Sequence, residues 1–123
     1  MQKKILIFDD DKDILFLSEY LLKQMGWEVH TSPNCNNIIA LVKQVMPSII
    51  LMDNWIPDSG GIAATQKIKA DEELRSIPVI FFSANNDIKN LAEQAGADTY
   101  LSKPFDIANF EEIINNMLLK NSA

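Results

Sequence analysis

One cysteine and one histidine occur in the whole of this 123-residue chain. A lone cysteine cannot close an internal disulfide, which fits a reducing compartment. Cys35 also reads as a passive thiol, because His30 lies in a different predicted element. Basic residues are outnumbered, 11 Lys and Arg against 17 Asp and Glu, for a formal net charge of −6. That balance argues against nonspecific nucleic-acid binding, since phosphate backbones reward clustered Lys and Arg. No apolar run reaches the roughly 18 residues of a membrane span. The start, "MQKKILIFDDD", lacks a signal-peptide pattern, because its apolar run is short and ends in acids. A cytoplasmic location is therefore expected, with neither membrane nor nucleic acid as a direct partner. No repeat, low-complexity tract or linker divides the sequence. Gly60–Gly61 reads as turn geometry, because no G-x-G-x-x-G or P-loop spacing surrounds it.

What is present is an ordinary globular composition, 47% hydrophobic and 23% charged, so one domain over residues 1–123 is expected. A chain of this length buries a core without disulfide staples. Strand-like and helix-like segments alternate from end to end. Apolar runs at 4–8, 48–53 and 78–84 have the length and continuity of buried strands, "WEVHT" at 27–31 alternates like an edge strand, and 98–102 is a short fifth strand. Between them the spacing predicts helices. The first carries a stripe of Ile14, Leu17, Leu21 and Met25 and stops at Gly26. The second carries Ile38, Leu41, Val42 and Val45 before Pro47. A third spans about 61–70, followed by the polar stretch "ADEELRSI". The fourth carries Ile88, Leu91, Ala92 and Ala95 before Gly96. The fifth spans about 107–119, with Ile107, Phe110, Ile113, Ile114 and Met117. Five βα units imply a parallel sheet covered by helices on both faces.

In open sheets of this kind, ligands sit beyond the carboxyl ends of the strands. Polar residues do gather there. The first strand ends at Asp9 and Asp10, the third at Asp53, the fourth at Ser83, and the fifth just before Lys103. Three carboxylates brought together strongly disfavour full ionisation unless a cation joins them. A hard divalent ion such as Mg²⁺ suits oxygen ligands. Asp10 and Asp53 are the candidate direct ligands, with Asp9 holding a metal-bound water. A strand-end carboxylate beside such an ion can attack phosphorus and form an aspartyl-phosphate. Asp53 is the best nucleophile, coming singly from the middle of the sheet. Ser83 could donate to one phosphoryl oxygen and Lys103 could pair with another.

These residues carry a resemblance. "ILIFDDD" with Asp9 and Asp10, "IILMDNWIPDSGG" with Asp53, "IPVIFFSA" with Ser83, and "YLSKPF" with Tyr100 and Lys103 follow in order over essentially the whole chain. The sequence resembles a two-component response-regulator receiver domain, of the single-domain, chemotaxis-regulator kind. The resemblance implies a flavodoxin-like, doubly wound (βα)5 fold with strand order 2-1-3-4-5. It implies that Asp53 takes a phosphoryl group from a phosphohistidine on a sensor histidine kinase or a histidine phosphotransfer protein. Mg²⁺, or Mn²⁺, is then held by Asp10, Asp53 and the backbone carbonyl of Trp55, with Asp9 acting through water. Ser83 and Tyr100 form a switch that changes the face built from helix four, strand five and helix five. That face contacts a downstream protein target or a second copy of the chain. Such a protein phosphorylates and dephosphorylates itself but is not a turnover enzyme. With "LLKNSA" directly after helix five, no output domain is expected.

The chain departs from the family pattern at Lys12, where proline is common, at Gly60, where aspartate is common, and at Trp55. The Trp55 ring and Asn85 are expected to alter the lifetime of the phosphorylated state, because Trp55 stands near the attacking water's path. Simpler roles are assigned elsewhere: Asp11 caps helix one, residues 71–73 are a solvated helix end or loop, His30 has no role on its edge strand, and Phe81–Phe82 are core. Two competing functions are weighed. A metal-dependent phosphatase with an aspartyl nucleophile on strand one finds its Asp-x-Asp in Asp9 and Asp11. However, the haloacid-dehalogenase pattern expects Thr or Val where Asp13 stands, and Asp53 is left unexplained. A phosphorylation-independent interaction module on the same fold is opposed by the intact acids, Ser83 and Lys103. An FMN-binding protein is disfavoured, because acids after strand one would repel the cofactor phosphate.

Overall fold

The computed structural model describes residues 3–53, 60–83, 86–102 and 107–122. In chain order the elements are β1 (Lys4–Phe8), α1 (Lys12–Gln24), β2 (Glu28–Ser32), α2 (Ile38–Val45), β3 (Ile49–Asp53), α3 (Gly60–Ala70), β4 (Val79–Ser83), α4 (Ile88–Ala95), β5 (Thr99–Ser102) and α5 (Ile107–Ser122). The strands form one parallel sheet in the order β2-β1-β3-β4-β5. The expected fold class and strand order are therefore what the chain adopts, with β2 on an edge as its alternating sequence suggests.

The near-continuous apolar runs have a direct cause. A strand alternates its side chains between faces, and here both faces are covered, so successive residues all need apolar side chains. Leu6, Phe8, Ile50, Met52, Val79 and Phe81 pack into one core with residues of α2, α3 and α4. Their neighbours Ile5, Ile7, Ile49, Leu51, Ile80 and Phe82 pack into the other with α1 and α5. β1, β3 and β4 are thus sealed over their length, and polar side chains can emerge only where the strands stop. Gly26 and Gly96 follow the ends of α1 and α4 in the left-handed region, at φ 90° and 82°, a conformation that glycine adopts without a Cβ penalty.

A polar knot fixes the other end of β4. Lys69 Nζ, at the end of α3, donates to the carbonyls of Arg75 (3.1 Å) and Ile77 (2.9 Å) and to Asp98 Oδ2 (2.7 Å). The same Asp98 oxygen accepts from the Val79 amide at 2.8 Å. This clamp sets where β4 begins and hence where Ser83, four residues along the same strand, ends it.

The structure corrects two sequence readings. The expected α1 stripe included Leu17, which is 47% exposed, while the helix buries Ser18 and Leu22 instead. A hydroxyl on the inner face hid the true stripe from a hydrophobic count. The stretch after α3 is also not purely polar, because Leu74 is fully buried within it. Its turn is organised by Asp71 Oδ1, which accepts from the amides of Glu73 and Leu74 at 2.9 and 3.2 Å.

Among the described residues, the Ser18 hydroxyl is a buried polar group without a hydrogen-bond partner. Such a group costs about 1–3 kcal/mol of desolvation. Ser18→Ala should therefore raise the unfolding free energy by about 1 kcal/mol, read by urea denaturation. A loss of stability would mean that the hydroxyl finds a partner in solution.

Candidate functional site

β1 and β3 run side by side, with Phe8 opposite Met52, so the next residues, Asp9 and Asp53, reach the same rim. Asp9 and Asp53 are almost wholly buried, while Asp10 is exposed. One carboxylate oxygen from each of Asp9, Asp10 and Asp53 lies within 4.8 Å of the others. Two residues from one strand end and one from its neighbour thus form an acidic pocket, open to solvent on the Asp10 side.

The local chain explains how two of these acids are aimed. The Asp9 amide donates to the Ser32 carbonyl at 3.2 Å, which extends the β1–β2 ladder by one residue. The Asp9 carboxylate accepts from the Asp11 amide at 2.9 Å, turning the chain sharply after the strand. Asp11 then caps α1, accepting from Asp13 N at 2.9 Å and Ile14 N at 3.3 Å. This is the capping role expected for it. The positive end of α1 lies next to the acid pair and favours negative charge there.

Ser83 ends β4, fully buried, one residue beyond the Asp53–Phe82 pair. It therefore shares the rim with Asp53. Tyr100 lies on β5 opposite Phe81 and is 39% exposed. Lys103, Trp55 and Asn85 lie outside the described residues. His30 is not isolated: its Nε2 is 2.6 Å from Glu28 Oε2 on the edge strand.

Cys35 was not expected near the site. It is buried, with its Sγ 3.9 Å from Met52 Sδ, so it touches the residue that precedes Asp53. Burial pushes its thiol up from 9.0 to about 12, against a downward pull from Lys67 and with a smaller upward push from Asp53. Nothing in residue spacing signals this contact, because it joins a loop to a strand through the core.

The pocket's donor set is all oxygen and all anionic, which suits a hard divalent cation and not a soft one. Asp9, Asp10 and Asp53 are the residues that could hold such an ion.

The comparisons with known proteins agree with this geometry. A family model described as the response regulator receiver domain matches residues 5–115. The polar-differentiation response regulator DivK of Brucella anthropi is 32% identical over 121 residues, covering 96% of this chain and 98% of that protein. Among solved structures, the receiver domain of sensor histidine kinase PA1611 from Pseudomonas aeruginosa is 28% identical. It has a TM-score of 0.87, covers 96% of this chain and 98% of its own, and has a magnesium ion coordinated in its active site cleft. The chemotaxis protein CheY4 of Vibrio cholerae superposes with a TM-score of 0.86 over 95% of this chain and 99% of its own. At 19% identity it speaks to the fold alone.

Two predictions follow from the charges. At an effective dielectric constant of about 20, carboxylates 4.8 Å apart repel by roughly 3.5 kcal/mol, and solvent at Asp10 reduces this to about 1. Asp10→Asn should therefore stabilise the protein by about 1 kcal/mol in chelator, measured by urea denaturation. Destabilisation would show that Asp10 is held by an attraction larger than this repulsion. For Cys35, the folded chain keeps a proton between pH 9 and about 12 that the unfolded chain has lost. Its contribution to stability is complete below pH 9, declines through that window and is gone above it. Cys35→Ala should thus lose less stability than wild type as pH rises from about 9. Parallel curves would mean that the folded thiol ionises normally.

Proposed function

This chain belongs to the response regulator receiver domain family, and from that membership we propose that Asp53 accepts a phosphoryl group from a phosphohistidine. Receiver domains are signalling components of two-component systems and not turnover enzymes. The donor is a sensor histidine kinase or a histidine phosphotransfer protein. A carboxylate oxygen of Asp53 bonds to phosphorus while the N–P bond of the donor breaks, and the departing imidazole nitrogen takes up a proton. Water later cleaves the acyl phosphate, so the protein resets itself. It is the convergence of the Asp9, Asp10 and Asp53 carboxylates within 4.8 Å that carries this proposal.

The same acids suit Mg²⁺ or Mn²⁺, with Asp10, Asp53 and the Trp55 carbonyl as direct ligands and Asp9 acting through water. An ion held there would supply positive charge that offsets the carboxylate and phosphoryl oxygens. Ser83 donates a hydrogen bond to the phosphoryl group and Lys103 pairs with it. Ser83 and the half-exposed Tyr100 act as the switch, a two-state equilibrium biased by one local charge event. Its output is the α4–β5–α5 face, which serves a downstream protein target or a second copy of the chain. Residues 1–123 act as one receiver domain in the cytoplasm. Among the described residues, no helix is long and apolar enough to cross a membrane.

A protein donor is supported by a surface feature. Phe16, Leu17 and Tyr20 on α1 are 74%, 47% and 57% exposed. The helix that carries them starts two residues after Asp10, and the patch begins about one turn along it. An exposed cluster of this kind suits a partner docking over the acids.

The test is incubation with acetyl phosphate, with and without MgCl2, read by intact mass. A single added phosphoryl group is expected, dependent on Mg²⁺ and absent in Asp53→Asn. Labelling that survives Asp53→Asn would move the acceptor elsewhere. Continuous release of phosphate without a labelled protein would favour the phosphatase reading. No labelling at all would favour an interaction module.

A further inference from the structure

The start of α2 and the flank of α3 enclose an open groove of about 590 Å³ that none of the chemistry above uses. Its lining includes Cys35, Ile38, Ile39, Ala40, Lys43 and Lys67. The volume falls in the range typical of small-molecule sites, about 300–1,000 Å³.

Charge distinguishes this groove from an ordinary surface furrow. The chain carries a net −6, yet two lysines and no carboxylate line the groove. Lys43 has one loose partner, Asp71 Oδ2 at 3.5 Å, outside the lining. Lys67 has no ion pair among the described residues, and its charge is felt by the Cys35 thiol. The helix that forms one wall adds to this potential. α2 begins at Asn37 in the left-handed region, with no side-chain cap and no acid in its first turn. Its positive end is thus left uncompensated by its own sequence. The accessible apolar lining comes from Ile39 and Ala40, with Ile38 and the Cys35 thiol buried beneath, and it offers nothing to a polar ligand body.

We propose that this groove binds a small anionic amphiphile, a carboxylate on an aliphatic or aromatic body, with the carboxylate paired to Lys43 and Lys67 and the body on Ile39 and Ala40 above the buried Ile38 and Cys35. The site is separate from the acidic pocket, whose three carboxylates repel a lone carboxylate ligand when no cation joins them. The two share a wall, because the Cys35 sulfur lies 3.9 Å from that of Met52, the residue before Asp53. The Met52 methyl group therefore reports on occupancy from the opposite side of the groove floor.

Octanoate and its uncharged analogue 1-octanol are the probes, titrated into the 123-residue chain by amide and methionine-methyl NMR. Octanoate is expected to give saturable shifts at residues 35–43, around Lys67 and at the Met52 methyl. Octanol should bind about tenfold more weakly. Lys43→Gln and Lys67→Gln should each weaken octanoate by about fivefold, with ligand-free spectra otherwise like wild type. Absence of saturation, equal binding of the two probes, or an unchanged affinity in the double lysine variant would each overturn the proposal. So would octanoate shifts centred on Phe16 and Tyr20, which would mark generic adhesion to the exposed apolar patch. The comparison of the two probes needs no variant and decides the matter even if a lysine substitution disturbs folding.

Discussion

Two of the three acids in the pocket are buried, and each lies within 4.8 Å of another carboxylate. Left to itself, this repulsion would push the strand ends apart. The rest of the structure can be understood as what holds them in place. β3 is central in the sheet, paired on both sides over nearly its whole length, so Asp53 cannot retreat without breaking two ladders. Asp9 is tied by its own amide to β2 and by its carboxylate to the first turn after β1. The apolar cores on both faces supply the cohesion. Each fully buried Ile, Leu or Phe contributes about 1.5–3 kcal/mol, so a few of them outweigh the repulsion of a carboxylate pair.

That division of labour explains why so much of the architecture was legible in the sequence. A doubly covered parallel strand must be apolar at every position, and "KILIF", "IILMD" and "VIFFS" can hardly be anything else in a chain that also shows helical periodicity between them. Placing polar residues only at the ends of such runs is a pattern visible without coordinates, which is why Asp9, Asp10, Asp53 and Ser83 could be grouped in advance. Asp11 was readable for the same local reason, since a cap is decided within three residues of the chain.

What escaped depends on contacts between distant segments or on exceptions to the hydrophobic pattern. Ser18 occupies an inner position of α1 that a count of apolar residues assigns to Leu17. Leu74 is buried because the turn at Asp71 folds it inward, although its neighbours are all charged or polar. The contact of Cys35 with Met52 joins a loop before α2 to the rim end of β3 and leaves no trace in spacing. The groove between α2 and α3 is likewise a product of how two helices pack. Neither Lys43 nor Lys67 looks unusual until the other stands across from it.

The two cores also bear on how an event at one rim residue can be felt elsewhere. Adjacent residues of a strand belong to opposite cores, so Asp53 and Met52 face different sets of helices even though they are bonded neighbours. The end of β3 therefore packs against both faces: Met52 with Cys35 and the α2 side, and Leu51 with the α1 and α5 side. β4 packs in the same manner, with Phe81 and Phe82 in separate cores and its far end held by the Lys69–Asp98 knot. Asp98, which the Lys69 ammonium holds, thus fixes the start of β4 through the Val79 amide. At the rim β4 is paired with β5, Ser83 opposite Ser102, and Tyr100 stands half exposed two residues before that pair.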